Sequence, residues 1–346
     1  MQYFFKIKFV NFLLGENKNL KKCFLLSLKS AIIEKNRKCV MPYNGKGKDA
    51  ADLRDGDCMT YNEICCALGE AGIENNRAEA AMLICRFCDI SRVELFKRIG
   101  EDFQSDALDS ALIRRCSHYP LQYIFGVWDF CHESYRVNEH TLIPRSDTEL
   151  LVEKAVRHLP PQARFIDLCT GSGCVAISTL AARPDCHGVA VDLFEETVAI
   201  ARENAEENGG GERLGFLRAD VLDPTFMEPL GYFDAILANP PYIVRKVLNE
   251  LAEELSYEPR AALDGGEDGL DFYRVIIARY GAYLAENGIM LLEIGYDQAE
   301  AVRELAAQAG YNCEIFRDLG NNDRVALLTP AAEEKKQEPI SIDGIH

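Results

Sequence analysis

The sequence predicts an α/β fold, a mostly parallel sheet with helices on both faces, preceded by a small helical bundle. From residue 123 onward, short β-like stretches alternate with helical patterns, the order that builds such sheets. A glycine-rich turn, Asp167-Leu-Cys-Thr-Gly-Ser-Gly173, joins one of those strands to a helix. Residues 59–118, by contrast, carry only helix caps and helical spacing.

Composition fits that class. The chain has 346 residues, 38 Lys and Arg against 55 Asp and Glu, a net charge of −17, 48% hydrophobic residues and 13 Cys. These values exclude a collagen, a disordered chain and a disulfide miniprotein, and the length suits one large domain or two smaller ones. No apolar run reaches the roughly 18 residues of a membrane-spanning helix. The acidity is a poor match to nucleic-acid phosphates. It is also uneven: residues 1–58 hold 12 basic and 6 acidic side chains, a balance of +6, while residues 59–346 hold 26 and 49, a balance of −23. Ten of the 15 Lys precede residue 49, but only one of the 23 Arg does.

That first stretch is neither a signal nor a transit peptide. Lys6, Lys8, Glu16 and Lys21 interrupt its apolar runs, and a transit peptide favours Arg and avoids acidic residues such as Glu16 and Glu34. Residues 1–58 are expected to be a dispensable extension, with Met59 the functional start. The scattered cysteines and the lack of a secretion signal point to reduced thiols in a cytoplasm.

The bundle elements follow from caps and spacing. Thr60 with Glu63 forms a capping box, hydroxyl and carboxylate satisfying free N–H groups of the first turn, and Ser91 with Glu94 forms a second. Ala81, Ile84, Cys85 and Cys88 recur at helical spacing, as do Leu95 and Ile99 before Gly100, and Leu108 and Leu112 after Ser105. Cys85-Arg-Phe-Cys88 lies inside this pattern with no second pair at zinc spacing, so its thiols are expected to pack as small apolar side chains and no metal is expected.

Residues 119–140 read as a linker with a β-hairpin, its strands at Tyr123–Phe130 and Tyr135–Val137, and Thr141-Leu-Ile-Pro-Arg145 opens the larger domain, residues 141–330. Strands are expected at Phe165–Leu168, Gly188–Val191, Gly215–Leu217, Ala235–Leu237 and Ile289–Glu293, with a closing pair at Cys313–Phe316 and Val325–Leu328. Helices are expected from Gly173, from Glu195 to Asn208 and across Gln298–Ala309. The acidic tail, residues 331–346, reads as disordered.

Ligands in such sheets bind at the carboxyl ends of strands. The glycines after Asp167 let the backbone turn tightly and approach a ligand, and the helix that follows offers free N–H groups; alone this is ambiguous, because Gly171, Gly173 and Ala176 also match the GxGxxA dinucleotide pattern. Asp192, ending the next strand, is placed to accept from both hydroxyls of a ribose, which suits NAD and S-adenosylmethionine alike. Asn239-Pro-Pro-Tyr242, after the apolar strand Phe233-Asp-Ala-Ile-Leu-Ala238, separates the two. A planar amide or aromatic amine is a weak nucleophile because its lone pair is delocalised. Acceptors on its two N–H groups localise that pair, and the Asn239 side-chain oxygen and Pro240 carbonyl fit the task. The prolines stiffen the backbone and Tyr242 presses on the planar group.

These motifs resemble the PrmC/HemK family, N5-glutamine methyltransferases that modify the Gln of the Gly-Gly-Gln motif in peptide chain release factors. The resemblance runs from about residue 59 to 330. It includes Pro120-Leu-Gln-Tyr-Ile-Phe-Gly126, Leu142-Ile-Pro-Arg145, Glu258-Pro-Arg-Ala-Ala-Leu-Asp-Gly-Gly266 with Asp268-Gly-Leu270, Glu293-Ile-Gly295 with Gln298, and Asn322-Asp-Arg-Val325. It implies a Rossmann-like S-adenosylmethionine-dependent methyltransferase domain behind a helical substrate-docking domain. Cys169, Thr170, Gly171, Ser172 and Gly173 would hug the methionine part of S-adenosylmethionine, Asp192 the ribose and Val221 the adenine. Asn239 would touch cofactor and substrate, and Asn239, Pro240, Pro241 and Tyr242 would hold the glutamine. Two positions depart from the family pattern: Cys169 stands where Gly is common, and Ser146-Asp147 replaces Pro-Glu after Arg145.

The rival is an adenine-N6 methyltransferase acting on DNA or RNA, because an exocyclic amine poses the same nucleophile problem. The −23 balance of residues 59–346 and the lack of a basic, aromatic-studded segment argue against it. The expected partner is a release factor, with no direct nucleic-acid contact and no membrane.

Overall fold

A computed structural model describes residues 59–250 and 252–331. The Lys-rich extension and the tail beyond Ala331 lie outside the described residues. Contacts divide the chain between Phe125 and Gly126.

In the first unit, helices α1 (Tyr61–Glu70), α2 (Asn76–Phe87), α3 (Arg92–Lys97), α4 (Asp106–Cys116) and α5 (Leu121–Phe125) accompany a short antiparallel pair, β1 (Met59–Thr60) with β2 (Asp102–Phe103). Thr60 caps α1 in a full capping box with Glu63, and Ser91 caps α3 by accepting from the Glu94 N–H. Ala81, Ile84, Leu95, Leu108 and Leu112 are buried in one core, with Cys85 and Cys88 half-buried against it. Burial raises the pKa of both thiols.

Two expectations change here. Ile99 lies past the end of α3 and is 39% exposed. Residues Tyr123–Phe125 are helical, not extended, and the division falls after Phe125, beyond the expected limit at 118. Their aromatic and β-branched side chains favour strands, but Pro120 supplies the first carbonyl of the turn to the Ile124 N–H, and Leu121 and Tyr123 are buried.

The second unit opens with a hairpin, β3 (Val127–Phe130) and β4 (Glu133–Arg136), followed by helix α6 (Glu149–His158). A seven-stranded sheet then forms from β5 (Arg164–Leu168), β6 (His187–Asp192), β7 (Leu214–Arg218), β8 (Phe233–Ala238), β9 (Leu284–Glu293), β10 (Tyr311–Arg317) and β11 (Asp323–Pro330). Its order is β10-β11-β9-β8-β5-β6-β7, parallel except for β11, which runs antiparallel to both neighbours. This is a Rossmann-like arrangement, with the strand order reversing at β5.

The near-continuous apolar runs of β5 and β8 mark strands buried on both faces. Phe165, Ala235 and Leu237 face one core with α6 and α7 (Cys174–Ala182). Ile166, Ile236 and Ala238 face the other, with α9 (Asp271–Arg279) and α10 (Ala299–Gln308). Helix α8 (Glu195–Glu207) packs beside β6 and β7. The sequence reading named neither α6 nor α9. Strand β9 starts earlier than expected: Glu286-Asn-Gly288, turn-like in sequence, forms an irregularity inside it, where register shifts between Phe233 and Ala235 of β8.

Candidate active site

Four adjacent strands end together. Val191, Leu168, Ala238 and Leu292 are in register across β6, β5, β8 and β9, so the next residue of each strand, Asp192, Cys169, Asn239 and Glu293, lies along one edge of the sheet. That edge is the carboxyl end, beside the point where strand order reverses.

The glycine loop is anchored from two sides. The Gly171 N–H donates to the Asp192 carboxylate at 3.0 Å, and the Thr170 N–H to the Val191 carbonyl at 2.9 Å. Beneath the loop, the Thr170 hydroxyl donates to the buried Asp167 carboxyl at 2.6 Å. Gly173 begins α7 at φ +82°, and a Cβ there would lie 2.9 Å from Ile177 Cδ1 and 3.3 Å from Ala201 Cβ, so only glycine lets α7 and α8 approach this closely. Cys169 adopts φ +60°. The position expected to favour glycine is therefore left-handed in this chain, and a cysteine carries the strain there. Asn204, fully buried on α8, donates to the Ser172 carbonyl at 2.8 Å and accepts from the Arg136 N–H at 2.7 Å, tying loop and hairpin together.

At the end of β8, Pro240 and Pro241 are buried, and Asn239 and Tyr242 half-buried. Asn239 Nδ2 donates to Thr148 Oγ1 at 3.2 Å, and its Oδ1 takes no hydrogen bond from any described residue. The Tyr242 carbonyl accepts from Gln298 Nε2 at 3.0 Å; the same amide group reaches the Gly269 carbonyl at 3.1 Å, and Gln298 Oε1 takes the Gly295 N–H at 2.9 Å. Burial pushes the Tyr242 hydroxyl up to about 12. Val221 is buried, with its carbonyl bonded to the Tyr280 hydroxyl at 2.7 Å.

Residues 60–126 match the model of the PrmC N-terminal domain, and residues 146–269 that of the methyltransferase small domain. A release factor glutamine methyltransferase of Geobacter sulfurreducens is 38% identical over 265 residues, 75% of this chain and 91% of its own length. One from Moorella thermoacetica is 37% identical over 275 residues, 75% of this chain and 96% of its own. The chain belongs to the release factor glutamine methyltransferase family. A solved protein-(glutamine-N5) methyltransferase (release factor-specific) from Alicyclobacillus acidocaldarius is 30% identical, covering 57% of this chain and 99% of that one with a TM-score of 0.35.

The remaining motifs shared with the glutamine methyltransferase family now have physical roles. Glu258 is buried, pairs with Arg145 and accepts from the Ile143 N–H at 3.0 Å, so it clamps the Leu142–Arg145 segment. Arg324 bridges Asp318 at 3.0 Å and Asp147 at 3.2 Å. The carboxylate of Asp147 is thus held by an arginine. Sequence reasoning did not single out Thr148, Asp167, Asn204 or a role for Glu293. Only Asp167 and Glu293 carried a signal, as acidic residues in apolar strands.

Burial pushes the Asp167 carboxyl up from 3.8 to about 7, against the pull of the Thr170 hydroxyl and the Ala176 N–H. Its folded-state pKa is above its unfolded one, so ionisation costs the folded state stability as pH rises through that window, with the full cost above it. Asp167→Asn is therefore expected to gain on the wild type by on the order of 4 kcal/mol between about pH 4 and about pH 8. Urea unfolding at the two pH values checks this, and a pH-independent difference contradicts it.

Proposed function

We infer that this chain transfers a methyl group from S-adenosylmethionine to the side-chain nitrogen of the Gln in the Gly-Gly-Gln motif of peptide chain release factors. The observation that carries this reading is the Asn239 amide: its NH2 is engaged by Thr148, which leaves Oδ1 to accept a hydrogen bond at the end of β8, next to the glycine loop.

The loop suits the donor. A Cβ on Gly171 would meet nothing within 4 Å, the Ser172 hydroxyl is buried with no partner among the described residues, and the Asp192 carboxyl stands at the strand end. Cys169, Thr170, Gly171, Ser172 and Gly173 would hold the methionine part, Asp192 the ribose and Val221 the adenine. When bound, S-adenosylmethionine supplies a sulfonium methyl whose positive charge is lost on transfer.

The protein's part is orientation and exclusion of water. Asn239 Oδ1 and the Pro240 carbonyl accept the two N–H groups of the substrate amide, turning its lone pair out of conjugation and toward the methyl. Pro240 and Pro241 hold that backbone, and Tyr242 flanks the amide plane. The nitrogen gains the methyl and releases one proton.

The helical unit docks the release factor in this reading, and Val93 and Phe96, spaced i and i+3 on α3 and 67% and 57% exposed, are apolar contacts available to it. The −23 balance of residues 59–346 favours a basic protein partner over nucleic acid, and a release factor as substrate implies work in the cytoplasm. Among the described residues, no helix is long and apolar enough to cross a membrane. Labelled S-adenosylmethionine offered with a release factor, with DNA and with RNA in parallel is expected to label the protein alone. Label on DNA or RNA alone would favour the adenine-N6 reading.

A further inference from the structure

Asn204 on α8 is fully buried, and every polar atom of its side chain is bonded. Its Oδ1 accepts from the Arg136 N–H at 2.7 Å, and its Nδ2 donates to the Arg136 carbonyl at 3.1 Å and to the Ser172 carbonyl at 2.8 Å. The Arg136 N–H can only donate, so Oδ1 must face it and both amide hydrogens go to carbonyls. Ser172 has few other ties. Asp192, Val191 and Asp167 anchor Gly171 and Thr170, and the Gly173 N–H bonds within the loop, to the Thr170 carbonyl at 2.9 Å. Among the described residues, Asn204 is the one group outside the loop and α7 that bonds Ser172 or Gly173. Glycine takes φ of either sign almost equally, so Gly173, at φ +82°, does not itself keep the Ser172–Gly173 peptide from turning over. A turned peptide swaps its N–H and carbonyl sides and breaks the Asn204 bond.

We propose, resting on the methyl-transfer reading above, that Asn204 is a positioning residue: it holds the Ser172–Gly173 peptide in the orientation that binds the methionine part of S-adenosylmethionine, and through the same amide it couples the loop to Arg136 at the end of β4. Helix α8 meets the loop at two points one turn apart. At Ala201 the close contact with Gly173 sets the distance, and at Asn204 the hydrogen bond to Ser172 sets the direction of the peptide. The coupling is reciprocal. A donor that fixes the loop also fixes the Asn204 amide, and with it the acceptor of the Arg136 N–H.

The test compares the intact chain with Asn204→Ala and Asn208→Ala. Asn208, four residues on, donates to the Ser134 carbonyl at 3.1 Å, so its alanine loosens the same helix from the same hairpin without touching the loop. Both variants are expected to lower Tm. Only Asn204→Ala is expected to raise the Kd for S-adenosylmethionine, by about 10-fold in calorimetric titration, with the KM for the donor raised alike and kcat at saturating donor largely kept. An unchanged Kd in Asn204→Ala, or an equal rise in both variants, overturns the proposal. Hydrogen exchange in the wild type needs no variant and decides the matter if Asn204→Ala fails to fold. On addition of S-adenosylmethionine, exchange of the Arg136 N–H slows more than that of the β10 amides at the far edge of the sheet, and equal slowing overturns the coupling. A wild type that binds no S-adenosylmethionine defeats the functional reading and this proposal together. One that binds it and leaves the release factor unmethylated defeats the substrate assignment alone, and titration and exchange still decide the role of Asn204.

Discussion

Asn239→Ala is expected to lower kcat by about 10³-fold while S-adenosylmethionine binding weakens only modestly. The alanine removes the acceptor that holds one N–H of the substrate amide, and that interaction strengthens as the nitrogen lone pair leaves conjugation, so its loss falls on the transition state. It also leaves Thr148 Oγ1 without the Asn239 donor that approaches to 3.2 Å, a smaller structural cost. The glycine loop and Asp192, proposed to hold the donor, are held by their own bonds and do not depend on Asn239. Single-turnover kinetics beside calorimetric donor titration separates the two effects. Near-normal turnover, or a binding loss as large as the rate loss, contradicts the acceptor role.

Gly269→Ala is expected to destabilise the protein by about 3 kcal/mol and to remove most activity, although residue 269 has no part in the chemistry. Gly269 sits at φ +79°, and a Cβ there would lie 2.5 Å from the Tyr242 carbonyl oxygen and 2.7 Å from Gln298 Nε2. Both atoms belong to the lock that fixes the backbone after Asn239. Gln298 bonds Tyr242, Gly269 and Gly295 at once, so a methyl group here pushes Tyr242 off its position. A shift of a fraction of an ångström in that backbone is enough to cost about 10²-fold in rate. Urea unfolding with an unchanged m-value, together with turnover, checks this. Wild-type stability in the variant contradicts the close approach.

The contrast between these two residues shows what the sequence could convey. Asn239-Pro-Pro-Tyr242 and the loop through Gly173 are contiguous, and short-range chemistry explains their residue types, so both were legible as a site. The sheet was equally legible, because β5 and β8 are apolar runs bounded by turns. The supporting shell was not. Thr148 meets Asn239 across 91 residues, Gln298 meets Tyr242 across 56 and Glu258 meets Ile143 across 115. All six lie in loops or turns or at helix starts, so their meeting is a property of the folded chain and leaves no local pattern. Local signals also misled where tertiary packing overrode them: Tyr123–Phe125 has strand-like side chains, yet the turn begun at Pro120 makes them helical and buries Tyr123. At Cys169 the backbone is left-handed, a conformation that favours glycine, and the side chain there gives no local sign of it.

Methylation of a release-factor glutamine held by Asn239 is read most directly by locating the transferred methyl group. Purified protein is incubated with S-adenosylmethionine carrying a labelled methyl group and a release factor, and the modified residue is located by peptide mass spectrometry. One labelled methyl is expected on the Gln of the Gly-Gly-Gln motif, absent when that Gln is changed to Ala and absent with the Asn239→Ala enzyme. Label that persists on the Ala-substituted release factor, or no label on the native one, would contradict it.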